Sequence, residues 1–144
     1  MENSITKGVQ ILRPDVFLPW YASLETIEKL FDDHKFLRQS QEYYSVKVVL
    51  PLNIDCSLSL GLRNNCLREV LIYRDSDYYE KHGLETSYID IQSQFETIWG
   101  KSHKSSKSIL DDFEDHFWYF ENVTIAHTIY ERFVFCEGVS IRID

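Results

Sequence analysis

The apolar residues in the first half of the chain pass from a helical spacing to a strand spacing. Ser23 suits the N-cap of a helix, and the apolar positions that follow recur every three or four residues, at Leu24, Ile27, Leu30 and Phe31. Residues 43–50 instead alternate, with one apolar face formed by Tyr44, Val46, Val48 and Leu50. The pattern therefore predicts a helix through residues 24–31 and then a strand over residues 43–50.

Turn-forming residues divide the rest of the first half. Leucine alternates with smaller or polar residues over 58–62, the pair Asn64-Asn65 favours a turn, and an apolar run covers 67–73. This order predicts a hairpin. The lead-in, residues 5–20, contains two prolines, so we expect an extended segment or edge strand there.

The second half repeats the change of spacing. Ser87 and Asp90 resemble a capping box, so we expect a second helix to begin at Ser87 and to stop at Gly100. Its apolar stripe consists of Tyr88, Ile91, Phe95, Ile98 and Trp99. A polar loop over residues 101–108 and three strands should follow, at 117–120, 123–129 and 133–143, with turn or bulge residues at Glu121-Asn122 and Glu137-Gly138.

Residues 21–74 and 85–143 thus share one order of elements, a capped helix, a polar loop and about three strands. One helix and three short strands cannot bury an apolar face alone, whereas two copies side by side can. We therefore predict a single α+β domain over residues 1–144, with an antiparallel sheet of about six strands and two helices. The layout resembles the tandem repeats of β-lactamase inhibitor proteins, and that resemblance implies a sheet used as a binding face.

Composition and charge narrow the function classes. The chain has 144 residues, of which 44% are hydrophobic and 26% charged, as is usual for a globular domain. Its formal net charge of -8 repels nucleic acid and anionic membranes and attracts a basic partner. Since the sequence contains neither a bilayer-spanning apolar stretch nor a leader of basic and apolar residues, we expect a cytoplasmic protein with no membrane partner.

The sequence offers few candidates for metal binding or catalysis. Cys56, Cys66 and Cys136 are widely spaced, and we expect them to stay reduced, with Cys136 buried as a small apolar residue. The acidic segments lack the spacing of a calcium loop, and there is no nucleophile elbow, phosphate-binding loop or dinucleotide motif, so we expect no metal, no cofactor and no enzyme. His116 and His127 could serve in acid–base chemistry, but His127 shares an apolar strand face and is better explained as a core residue.

The most unusual feature is an acidic and aromatic stretch over residues 111–121. We expect it to contact a partner through Asp111, Asp112, Glu114, Asp115, Trp118, Tyr119 and Glu121. A second acidic segment, in the polar link between the two halves, adds Asp75, Asp77 and Glu80. The alternative interpretation is that the aromatic residues belong to the core and the acids only solvate a loop.

A small, acidic, strand-rich chain without catalytic motifs is similar in type to bacterial immunity proteins, which neutralise a toxin. That resemblance implies a basic protein toxin, of the nuclease type, as the partner, with the acids occupying the cleft that would bind phosphate. Two alternatives remain, a non-catalytic interaction module and a small hydrolase that uses His116 or His127. Edge strands of an antiparallel sheet could pair across a twofold axis, but no residue in the sequence requires it.

Overall fold

The computed structural model describes residues 4–32, 36–38, 40 and 42–144. The first half contains a short 3-10 helix at Ser4–Thr6, β1 (Gly8–Ile11), β2 (Val16–Pro19), α1 (Leu24–Leu30), β3 (Phe36–Arg38), β4 (Tyr43–Leu50), β5 (Ile54–Arg63) and β6 (Cys66–Arg74). The second half contains α2 (Ser76–Trp99), β7 (Lys104–Lys107), β8 (Glu114–Phe120), β9 (Val123–Arg132) and β10 (Val134–Ile143). The sequence was expected to contain no leader of basic and apolar residues. Its first three residues, Met1 to Asn3, lie outside the described residues.

The strands form two antiparallel sheets. β1 and β2 make a separate hairpin, and the other eight strands form one sheet in the order β3-β4-β5-β6-β10-β9-β8-β7. The predicted α+β class with two helices is confirmed. The predicted strand number is wrong, because the described residues form ten strands in sheets of two and eight.

Each half contributes one helix and then four strands to the large sheet. β6 and β10, the last strands of the two halves, pair at its centre with Leu71 opposite Ser140. In each half a helix is thus followed by four strands, where about three were expected. The short edge strands β3 and β7 were not expected.

One face of the large sheet forms the core with the helices and the β1–β2 hairpin. Alternate residues of β4, β5, β6, β9 and β10 point into it, as the periodicity predicts. The Ser23 hydroxyl caps α1 by accepting a hydrogen bond from the Thr26 N–H at 3.2 Å, and Gly100 ends α2 with φ of 79°. None of the described helices is long and apolar enough to cross a membrane.

Several local expectations are wrong. α2 begins at Ser76, so Ser87 lies within it and does not cap it, and the helix is interrupted at Gly83, where φ is 85°. Residues 101–108, expected as a loop, contain β7. Glu137-Gly138 lies in regular register with β9, and the register shift in the sheet is between Gly61 and Leu62 of β5.

We predict that Ile125→Ala lowers the free energy of unfolding by about 2–5 kcal/mol, because it leaves a cavity in the core. The Ile125 side chain is fully buried in the apolar core. Urea unfolding provides the measurement, and Ile109→Ala, at a largely exposed isoleucine, provides the control. Equal effects of the two substitutions would contradict the core assignment.

Candidate functional site

The topology brings the two acidic segments to one edge of the large sheet. In the order β6-β10-β9-β8 the strands are antiparallel, so the end of β6 and the start of β8 lie at the same edge. The first segment follows β6 and the second precedes β8. We call the following set the acidic edge: Asp75, Asp77, Glu80, Asp111, Asp112 and Glu114.

Exposure and local contacts differ within the acidic edge. Asp77, Glu80, Asp111, Asp112 and Glu114 are exposed and Asp75 is half-buried. In the second segment, the Asp111 carboxylate pairs with the Lys107 ammonium group at 3.3 Å. Asp111, Asp112 and Glu114 line an open cleft of about 870 Å³ between α2 and the start of β8. Most of these carboxylates are therefore available to a partner in solution.

The structure separates other residues of the predicted site from the acidic edge. Trp118 is 0% exposed, and its indole N–H donates to the Gly100 carbonyl at 2.8 Å, so its assignment as a partner contact is wrong. The Asp115 carboxylate accepts a hydrogen bond from the Ile129 N–H at 3.1 Å and thus has a structural role. Glu121 lies in the turn between β8 and β9, at the opposite edge.

Tyr119 also lies away from the acidic edge, although it remains accessible. It is five residues along β8 from Glu114, which corresponds to about 17 Å. Its ring is 45% exposed and stacks near His103, with 6.4 Å between ring centroids. Residues 111–121 therefore do not form one continuous surface.

The end of the β9–β10 hairpin projects from the same edge and was not identified from the sequence. The last pair of β8 with β9 is His116 with His127, and the pairing of β6 with β10 begins at Val139. The strands β9 and β10 continue beyond both neighbours. We call residues 130–136 the hairpin tip. Its exposed apolar side chains are Tyr130, Phe133, Val134 and Phe135.

A buried polar cluster lies at the base of the hairpin tip. The His127 ring is 0% exposed, and its Nε2 lies 2.5 Å from Oε2 of Glu137. The other ring nitrogen lies 2.8 Å from Oε1 of Gln92. The hydroxyls of Tyr79 and Ser87 donate to Oε1 of Glu137 at 2.9 and 2.6 Å. Both ring nitrogens of His127 therefore have a hydrogen-bond partner within the core.

Arg74, the last residue of β6, extends this buried polar cluster toward Ser87 and Asp90 of α2. Its guanidinium donates to Ser87 Oγ at 3.1 Å and to Asp90 at 2.7 Å, and it lies 3.3 Å from the centre of the Tyr78 ring. The Tyr88 ring stacks on His127 with 3.9 Å between centroids. The expectation that His127 is a hydrogen-bonded core residue is confirmed, and its burial keeps it from a substrate in this conformation.

The face of the large sheet away from the helices is partly exposed and carries small and aromatic residues. Across the centre of the sheet, the Tyr43 hydroxyl donates to Glu69 at 2.9 Å, and Glu69 pairs with Arg142 at 3.0 Å. This face includes Tyr73, Tyr119 and Tyr130, with small residues such as Thr128, Gly138 and Ser140 between them. It is less acidic than the acidic edge.

The remaining candidate groups have limited reactivity. Burial raises the pKa of the Cys56 thiol to about 12, so the thiol is protonated at neutral pH. Cys136 is partly exposed, so the expectation of a buried residue is wrong. Within the described ranges, no group of three or more His, Cys, Asp or Glu residues is placed to hold a metal ion.

No family model, curated protein or solved structure matches the chain.

We predict that Glu137→Ala lowers the free energy of unfolding by about 3–5 kcal/mol, because it leaves His127 and two buried hydroxyls without their common acceptor. Urea unfolding measures the loss. Glu25→Ala removes an exposed carboxylate paired with Lys29 and should cost less than about 1 kcal/mol. A loss no larger than that of the control would contradict the role of the buried cluster.

We predict that His116 makes the fold sensitive to mild acid. Burial, assisted by the nearby His127, lowers the pKa of His116 below its ordinary value, while Glu114 and other carboxylates oppose the shift. Since the folded state disfavours the protonated ring, this contribution is present above about pH 6.5 and is lost as the pH falls. The unfolding free energy should therefore fall less between pH 7 and pH 5 in His116→Gln than in the wild type. Identical pH slopes in the two proteins would contradict this assignment.

Proposed function

We propose that the protein is an inhibitor of the immunity type, which binds and neutralises a basic protein toxin. The observation that carries the proposal is the meeting of two separate acidic segments at one edge of the sheet, on both sides of an exposed apolar tip. Carboxylates steer a basic partner, and apolar or aromatic side chains between them supply contact area. Such a protein would act in the cytoplasm, where its cysteines stay reduced.

The electrostatics support a basic partner rather than a nucleic acid or an anionic membrane. The whole chain has a formal net charge of -8, and the acidic edge adds a local excess of carboxylates. A toxin that acts on nucleic acid must present cations to phosphate, so carboxylates can occupy the same cleft.

A non-catalytic interaction module is the second candidate function. The face of the large sheet away from the helices favours it. Tyrosines separated by small residues, as at Tyr73, Gly138 and Tyr130, are typical of surfaces that bind proteins without strong charge. This candidate predicts binding that is insensitive to charge reversal at the acidic edge. A hydrolase would instead depend on His116, which lines the open cleft and contacts Ser102 Oγ at 2.8 Å.

The test is co-expression with the C-terminal part of the protein encoded immediately upstream, followed by measurement of growth and of the purified complex. We predict that the chain restores growth. Asp112→Lys/Glu114→Lys and Asp77→Lys/Glu80→Lys should each slow association about tenfold at low salt. Their unfolding free energies should change by less than about 1 kcal/mol, since these side chains are exposed.

Glu121→Lys/Asp144→Lys is the matched control, because it makes the same change of net charge at the opposite edge of the sheet. It should alter the association rate far less than either edge variant. A harmless upstream product that forms no complex would refute the proposal. Equal slowing by all three variants would exclude a specific role for the acidic edge.

A further inference from the structure

We propose that the hairpin tip is the anchor of the interface and inserts into a recessed, apolar site with a basic rim on the partner. This inference rests on the proposed function, which it extends by naming the inserting element and the shape of the surface that receives it. The residues that carry it are Phe133, Val134, Phe135 and Tyr130. None of them was identified from the sequence as a partner contact.

The exposure of the tip is unusual for its composition. Phe133 is 98% exposed and Val134 is 67% exposed, although both are apolar residues of the segment predicted to be a strand. Large apolar side chains grouped on a protruding element indicate an interaction site more strongly than scattered ones do. The exposed apolar side chains of the tip therefore indicate that it binds a partner.

The backbone at the tip adds an independent argument. Phe133 alone separates the paired residues Arg132 and Val134, and its φ is 68°. A bulky residue in the left-handed region is strained, and glycine or asparagine adopts that conformation at lower cost. The chain thus retains a strained, solvent-exposed phenylalanine at a position where stability alone favours glycine.

The dimensions of the tip favour a recess over a flat surface. Two strands lie about 4.8 Å apart, and three residues on each strand extend about 10 Å. A groove of about 320 Å³ runs beside the tip and is lined by residues that include Tyr79, Leu84 and Phe135. A narrow projection with an adjacent groove can enter a cleft while the walls of the cleft contact its sides.

The negative charge around the hairpin tip distinguishes among the surfaces that could bind it. Acids of the acidic edge lie on both sides of the tip, at the start of α2 and before β8. A symmetric contact between two copies of this chain through the tip would bring these like charges together, and an anionic membrane would be repelled as well. A basic rim around an apolar recess complements both the acids and the tip.

The packing below the tip suits it to insertion. Glu137 and His127 are buried at its base, where Tyr79 and Ser87 of α2 hold the carboxylate. A projection fixed at its base loses less conformational entropy on binding than a mobile loop does. The tip is thus already held in the shape that the recess must accept.

The experiment measures association and dissociation rates with the upstream-encoded protein as the probe. Phe133→Gly/Val134→Thr should raise the dissociation rate at least about tenfold and change the association rate less than about twofold, because anchors act mainly on dissociation. The unfolding free energy of this variant should not fall, since glycine relieves the positive φ. Leu52→Gly is the matched control, because Leu52 is also exposed and has a positive φ, at 69°, in the β4–β5 turn.

The outcomes separate this inference from the proposed function. An unchanged dissociation rate in a complex that still weakens with salt would overturn the anchor and leave the inhibitor proposal standing. If the tip variant loses binding but charge reversal at the acidic edge has no effect, the hairpin tip is supported as the anchor and the proposal of a basic partner is overturned. Three other results would overturn the proposal that the hairpin tip is the anchor. The first is an equal effect of Leu52→Gly on the dissociation rate. The others are a wild-type dimer that Phe133→Gly abolishes and the absence of any complex with the probe.

Discussion

The pairing of β6 with β10 is the constraint on which the rest of the structure depends. It joins the last strand of each half, so that the four strands of one half continue those of the other. Because the pairing is antiparallel, the end of β6 shares an edge with the start of β10. Acidic segments far apart in the sequence consequently meet around one hairpin. The Glu69–Arg142 pair crosses this same junction.

The polar cluster beneath α2 is the second determinant, because it joins the helix to the hairpin. Burying the side chains of Arg74, Glu137 and His127, and partly that of Asp90, carries a desolvation cost, which is offset only when each group has partners of good geometry. The contacts among them and with Ser87 meet that condition, and they connect four elements, β6, α2, β9 and β10. The tight packing below the tip therefore comes from polar contacts as well as from apolar ones. This explains how a strained and exposed turn can be held above an ordered base.

Much of the fold could be predicted from the sequence where the signal is local. The Ser23 cap, the alternation in β4 and the Gly100 stop are each determined by a few neighbouring residues, and all three are present. The start of α2 was missed because its first turns are mostly polar and Gly83 interrupts their periodicity. β7 was missed because its sequence, Lys-Ser-Ser-Lys, has no apolar residue and pairs through its backbone alone.

The candidate site was predicted less completely, because a surface depends on strand order and on which way each side chain points. Trp118 and Tyr119 are adjacent in the sequence, but alternation along β8 sends the first into the core and the second toward solvent. Glu114 and Glu121 belong to the same stretch, yet the length of the strand places them at opposite edges of the sheet. Conversely, an apolar run such as that beginning at Phe133 resembles core in any sequence. Only the register of the neighbouring strands, which stop short of it, reveals that it projects into solvent. A surface assembled in this way is a property of the topology, so no single acidic or aromatic segment could have identified it.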